Sequence, residues 1–174
     1  MRIRSAVMAD IDAIYALIEA QARRGILLPR SRASLCEHIQ SLSVAEGEGG
    51  RVVGVVALHV LDRDLAEVRS LAVADDHQGR GIGRALVEHA VRRAAALGIH
   101  RVLSLTVQVE FFRKCGFQPA QRLAFPQKVW KDCLNCPKLA ACDEVAMQID
   151  AVAWVQAQDL REPSCAQAKT ALGG

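Results

Sequence analysis

No stretch of this sequence is apolar for long enough to cross a bilayer. The longest run, Val52–Leu61, is about ten residues and is broken by Gly54 and His59, where a span needs roughly 20. The N-terminus carries Arg2 and Arg4 and has no export-type apolar segment, so a cytoplasmic protein with no membrane partner is expected. Charge of one sign is also scarce. Twenty-two Lys and Arg stand against 19 Asp and Glu, the net charge is +3, and the arginines are scattered among acids. Without a basic stripe, no nucleic-acid partner is expected. Internal repeats and dividing linkers are lacking, and 174 residues leave room for one ordinary domain. Neither the G-x-G-x-x-G of a dinucleotide fold nor the Gly-Lys-Ser/Thr of a P-loop is present.

The six cysteines, with no export signal, fit a reduced compartment better than a disulfide scaffold. Cys133-x-x-Cys136 and Cys142 supply three of the four ligands that structural zinc wants. The fourth would have to come from Asp143, a histidine or Cys165, and no metal is expected. Cys115, beside Gly116, reads as packing. His59, on a doubly apolar strand, reads as a satisfied core histidine, and His77, in a polar loop, as solvated.

The order of elements is read from hydrophobic period and punctuation. A strand at Ile3–Ala6 precedes a helix capped by Asp10 and ended by Gly25, and a second helix covers Ser34–Leu42. Strands Ser43–Glu46 and Arg51–Leu61 form an antiparallel pair, the second buried on both faces, and Glu67–Val73 follows as a third. A long helix, Gly81–Leu97, buries Ile82, Leu86, Ala90, Ala94 and Leu97 and stops at Gly98. Then come a strand at Val102–Thr106, a short helix at Val109–Cys115, and strands at Phe117–Arg122 and Glu144–Trp154. Pro126–Asp143 has no clear pattern, and residues 156–174 read as a loose polar tail. The order β-α-α-β-β-β-α-β-α-β-β describes an α/β (α+β) domain with a mixed central sheet flanked by helices.

The most informative segment is Leu71–Leu86. A strand ends at Val73, a polar loop follows, and Gly79, Gly81 and Gly83 open a helix. Glycine lets the main chain approach a ligand, and the first helical N–H groups are unpaired donors at the positive end of the dipole. Such a turn suits a pyrophosphate; a strand-to-helix turn with no ligand is the plain alternative.

Gln78-x-x-Gly81-x-Gly83 after the strand Leu71–Val73 resembles the acyl-CoA loop of the GNAT superfamily of N-acyltransferases, and the resemblance covers roughly residues 1–155. It implies acetyl-CoA as cosubstrate, with Gly79, Arg80, Gly81, Ile82, Gly83 and Arg84 around the pyrophosphate. The strands Glu67–Val73 and Val102–Thr106 would splay to admit the pantetheine arm. Arg80 and Arg84 could add charged contacts or stay solvated.

Three segments, Gln21–Arg32, Ala66–Val73 and Val109–Phe117, resemble the acetyltransferase domain of N-acetylglutamate synthases, and Cys133–Met147 resembles its short single-domain members. That resemblance implies a small amino-acid acceptor, glutamate first, and with it arginine biosynthesis. Arg30 and, more weakly, Arg69 would bind acceptor carboxylates, since arginine offers a planar fork. Glu67 would be the general base, its pKa raised by burial, or else a structural partner of Arg69. Gln108 stands where some synthases carry a serine, and Phe111 and Phe112 fill positions near which other members place a tyrosine. An amide cannot donate a proton as an acid, so no general acid is assigned. A protein N-terminus, a lysine or an amine metabolite as acceptor, and a non-catalytic acetyl-CoA sensor, remain alternatives, as does a homo-oligomer.

Overall fold

The computed structural model describes residues 1–131, 133–136 and 139–161. Seven strands form one sheet among these residues: β1 Arg2–Ser5, β2 Leu42–Glu46, β3 Val52–Asp62, β4 Leu65–Val73, β5 Arg101–Thr106, β6 Gln118–Pro119 and β7 Val145–Asp150. The order across the sheet is β1-β2-β3-β4-β5-β7-β6. Neighbours are antiparallel except β4 and β5, which run parallel. The α-helices are α1 Ile11–Arg23, α2 Arg32–Glu37, α3 Ile82–Ala96, α4 Val109–Lys114, α5 Pro126–Lys131 and α6 Ala151–Asp159. None is long and apolar enough to cross a membrane.

The doubly apolar β3 explains the layering. Val56 and Leu58 join a core with α3, α4 and β5, while Val55 and Ala57 join a second with α1 and α2. Helices therefore cover both faces, and the mixed α/β architecture is as expected. At Gly54 an added Cβ would lie 2.9 Å from Leu86 Cδ1 and 3.3 Å from Ile82 Cγ2. The first turns of α3 thus rest directly on the β3 backbone, which fixes where that helix begins.

Several boundaries differ from expectation for identifiable reasons. Asp10 does not cap α1 with its side chain. Its carboxylate accepts from Val7 N at 2.8 Å and from both terminal nitrogens of Arg4, at 2.7 and 3.0 Å. The second helix starts earlier than Ser34, because Ser31 Oγ accepts from Ser34 N and supplies the cap. Leu97 is 63% exposed, lying at the C-cap where the buried stripe has ended. Ile99 N to Ala94 O at 3.0 Å and Gly98 N to Ala95 O at 2.9 Å close that end as a Schellman motif.

The strand expected over Phe117–Arg122 is only Gln118–Pro119, since proline cannot extend a ladder. The strand expected through Trp154 stops at Asp150, whose side chain accepts from Ala153 N and starts α6. That helix runs to Asp159, so the segment expected to be loose from residue 156 begins as ordered helix. Arg92 lies 5.6 Å over Trp154 and ties α6 to α3. Residues 162–174, with Cys165, lie outside the described residues.

Candidate active site

β4 and β5 are paired only from Leu65, Ala66 and Glu67 to Arg101, Val102 and Leu103. Beyond Glu67 the two strands part, as the family resemblance implied. A bulge helps to part them. Ala57 faces Arg69 and Val55 faces Ala72, so two steps on β3 match three on β4. The extra residue falls at Ser70, whose φ of 53° is uncommon for a side chain other than glycine. Between the parted strands opens a cavity of about 850 Å³. Its lining includes Arg30, Glu67, Arg69, Leu71, Val73, Gln78, Gly79, Gly81, Ile82, Gly83, Arg84 and Gln108.

At one end the cavity meets the start of α3. Gly79 and Gly81 have φ of 73° and 80°, and Gly81 is the N-cap of α3 in the left-handed region. Other residues would pay a backbone penalty in that conformation. Gln78 points back, its Nε2 donating to Val73 O at 3.1 Å and to Asp75 Oδ1 at 3.0 Å. Its role is to hold the loop. Asp75 also takes Arg24 at 2.9 Å, and this bond holds the Asp75 carboxyl below the usual carboxylate range. Arg51 bonds Asp76 at 3.1 Å. The loop thus presents the α3 amides from a braced frame.

At the other end the charges are buried. Glu67 is 3% exposed. Lys128, on α5 and nearly as buried, places Nζ 2.9 Å from Glu67 Oε2. Arg69 Nη1 is 3.7 Å from the same oxygen. The expected burial of Glu67 is there, but two cations oppose its effect on the carboxylate. Arg30 is half-buried and lines the cavity, and its Nη2 donates to Ser34 Oγ at 2.9 Å.

The sequence model of the acetyltransferase (GNAT) family matches residues 11–117. The chain belongs to the GNAT family. It is 43% identical over 145 residues to an uncharacterized N-acetyltransferase of Chlorobaculum tepidum, covering 83% of this chain and 93% of that one. It is 41% identical over 117 residues to an amino-acid acetyltransferase of Mycobacterium tuberculosis, covering 66% and 67%. N-acetylglutamate synthase from Neisseria gonorrhoeae, solved with coenzyme A and N-acetyl-glutamate, superposes with a TM-score of 0.78 at 32% identity. The match takes in 86% of this chain and 35% of that one, so this chain spans about a third of the larger enzyme.

The chain is thus an N-acetyltransferase that uses acetyl-CoA as cosubstrate. The site fits this GNAT role on its own geometry: parted strands leave a slot, and left-handed Gly79 and Gly81 and the first turn of α3 line it. Not every residue anticipated around the loop is brought in. Arg80 is exposed and outside the cavity lining. Arg84 reaches the lining, but its side chain bonds Glu88 at 2.8 Å along α3. At Gly83 a Cβ would meet the Phe111 ring at 3.4 Å, so this glycine also serves the packing of α3 against α4.

Gln108 is the N-cap of α4, with its N–H bonded to Thr106 Oγ1 at 2.8 Å. Tyr15 lies under the Arg32 guanidinium at 3.9 Å and does not line the cavity. His77, expected to be solvated, is 23% exposed and lies 2.8 Å from Asp76. His59 is half-buried and stacks edge-on with His38. Burial pushes the Cys115 thiol up to about 11, as suits a packing residue. Among the described residues no group of three or more His, Cys, Asp or Glu side chains could hold a metal ion. Sequence reasoning missed Lys128, which lies in the segment without a legible pattern.

Proposed function

We propose that this enzyme acetylates the α-amine of L-glutamate, making N-acetylglutamate at the start of arginine biosynthesis. The observation that carries the reading is the set of cations around Glu67: Arg30, Arg69 and Lys128 line one cavity with it. Two relatives support it by their names, an amino-acid acetyltransferase and an N-acetylglutamate synthase. A cytoplasmic setting accords with the five free cysteines among the described residues.

Acetyl-CoA supplies an activated acetyl thioester. An α-amine with a pKa near 8 arrives mostly as ammonium, and only its neutral form is a nucleophile. Glu67 accepts that proton, directly or through water. The freed nitrogen forms the amide bond to the acetyl carbon while the carbon–sulfur bond breaks. Sulfur leaves with the electron pair. The second nitrogen proton is lost to solvent, and the thiolate gains one from the same source. Gln108 can hydrogen-bond the sulfur but not protonate it. Arg30 and Arg69 contribute to binding the acceptor carboxylates.

Free-thiol release, measured with acetyl-CoA and glutamate, glutamine, aspartate or a peptide N-terminus, tests the assignment. Glutamate should be preferred. Losing the Arg30 fork in Arg30→Ala should cost about 1.5–3 kcal/mol, roughly ten- to 150-fold in kcat/KM. Arg30→Lys should recover only part, because an ammonium cannot reproduce the bidentate geometry. Equal rates on glutamate and peptide, with Arg30→Ala like wild type, would refute glutamate as the acceptor.

A further inference from the structure

The charges at the closed end of the cavity come from two separate parts of the chain. Glu67 and Arg69 lie on β4, inside the stretch that the family shares. Lys128 arrives from α5, eleven residues past Phe117, where the family match ends. Its place is fixed by packing. Phe125, immediately before α5, is 1% exposed and packs with Leu65, Leu103 and Ala146. The Arg101 guanidinium lies 5.4 Å over its ring. Gln127 Nε2 donates to Asp62 Oδ2 at 2.8 Å and ties α5 to the end of β3. An ammonium held this deeply is costly to desolvate, and a hydrophobic side chain would serve packing better.

A base whose carboxylate is bonded to an ammonium is poorly placed to take a second cation. The acceptor nevertheless has to bring its own ammonium to Glu67. We propose that Lys128 sets acceptor specificity by exchanging ion-pair partners: the carboxylate of an incoming α-amino acid takes Lys128, and Glu67 is left to the amino acid's ammonium. The inference rests on the amino-acid reading above. A zwitterion inserted into the Lys128–Glu67 pair makes an alternating array of four charges and buries none without a partner. A plain amine makes no such array. Its cation would enter beside the Lys128 ammonium, with Arg69 3.7 Å from the same carboxylate oxygen and Arg30 lining the cavity as well. Among the described lining residues the opposing charges are Glu67 and Glu144, and the Cys133 thiol, pushed up by burial, adds none at neutral pH. Lys128 thereby acts as a repulsive element against lysine side chains, simple amines and peptide N-termini.

The experiment compares glutamate, its α-amide and a short alkylamine as acceptors for the full-length protein and for Lys128→Met, Lys128→Gln and Lys128→Arg. Wild type should favour glutamate over the alkylamine by a large ratio. Lys128→Met should lose roughly ten- to a hundredfold in kcat/KM on glutamate, mainly through KM, and gain on the alkylamine, so that the ratio collapses. Lys128→Arg should keep most of the ratio, and acetyl-CoA affinity should be unchanged in all three. Should Lys128→Met melt below the assay temperature, Lys128→Gln, a neutral side chain that can still hydrogen-bond Glu67, carries the same expectation. A preference for glutamate that survives in the neutral variants overturns the exchange while leaving the amino-acid reading intact. A wild type that acetylates no amino acid overturns both.

Discussion

Gly54 is the point where the fold and the cosubstrate loop are mechanically joined, so Gly54→Ala is the sharpest test of the architecture. The backbone there needs no left-handed conformation, and the cost of a methyl group is therefore steric. That methyl would sit 2.9 Å from Leu86 Cδ1, 3.3 Å from Ile82 Cγ2 and 3.4 Å from Ala72 O. Leu86 is fully buried and Ile82 nearly so, while the Ala72 carbonyl belongs to the sheet and cannot rotate away. Overpacking of this kind costs about 1–3 kcal/mol. For a chain of this length that is a fall in Tm of roughly 3–10 °C. Relief by tilting α3 off β3 would carry Gly81–Arg84 with it, so acetyl-CoA affinity should weaken along with stability. Leu86→Ala removes the closest atom, and the double variant should be less destabilised than the sum of the singles by more than about 0.5 kcal/mol. Thermal melts with and without acetyl-CoA, for the two singles and the double, make the measurement. Wild-type melting and affinity in Gly54→Ala, with additive energies in the double variant, would refute the close approach of α3 to β3.

Two other expectations follow from single residues. Gly81→Ala meets no atom within 4 Å, so its cost is the backbone penalty at φ 80°, about 1–2 kcal/mol, and acetyl-CoA should raise its Tm less than it raises wild type. Burial, with Arg93 as a smaller cause, lowers the pKa of His89 below 6.5. The folded state therefore favours neutral imidazole, so the stability linked to His89 is present in full above pH 6.5 and is lost as pH falls below it. Melts between pH 8 and pH 5 should show this slope in wild type and a weaker one in His89→Gln.

The fold and the glycine loop before α3 were legible because their signals are local. The apolar residues of β3 fall on both parities, and that alone requires a covered sheet. A strand, a polar loop and three glycines before a helix describe the α3 start within a dozen residues. The parting of β4 and β5 was foreseeable only through the family resemblance, and the bulge at Ser70 was not, since nothing in Val-Arg-Ser-Leu marks which residue will take the positive φ. Boundaries failed where one side-chain bond decides them, as with Ser31 Oγ and Asp150 Oδ1.

The acceptor half was less legible because its partners are distant in sequence and share no period. Arg30, Glu67 and Arg69 could be picked out from the family resemblance and their chemistry, but Lys128, which bonds Glu67, is 61 residues away on a six-residue helix. A helix that short has too few turns to show an amphipathic stripe, and its position depends on one buried ring, Phe125, beside a proline. Sequence pattern reports which face of an element is buried, whereas charge pairing across elements is set only once the chain has folded. The consequence for function is specific. Arg69, three residues before the bulge ends and next in line to Glu67 by parity, was the obvious structural partner for that carboxylate, yet it stands 3.7 Å away while Lys128 stands at 2.9 Å. The shorter contact comes from outside the segment that the family model matches. Under the proposed exchange, changes confined to α5 should alter acceptor choice and leave acetyl-CoA affinity as it is.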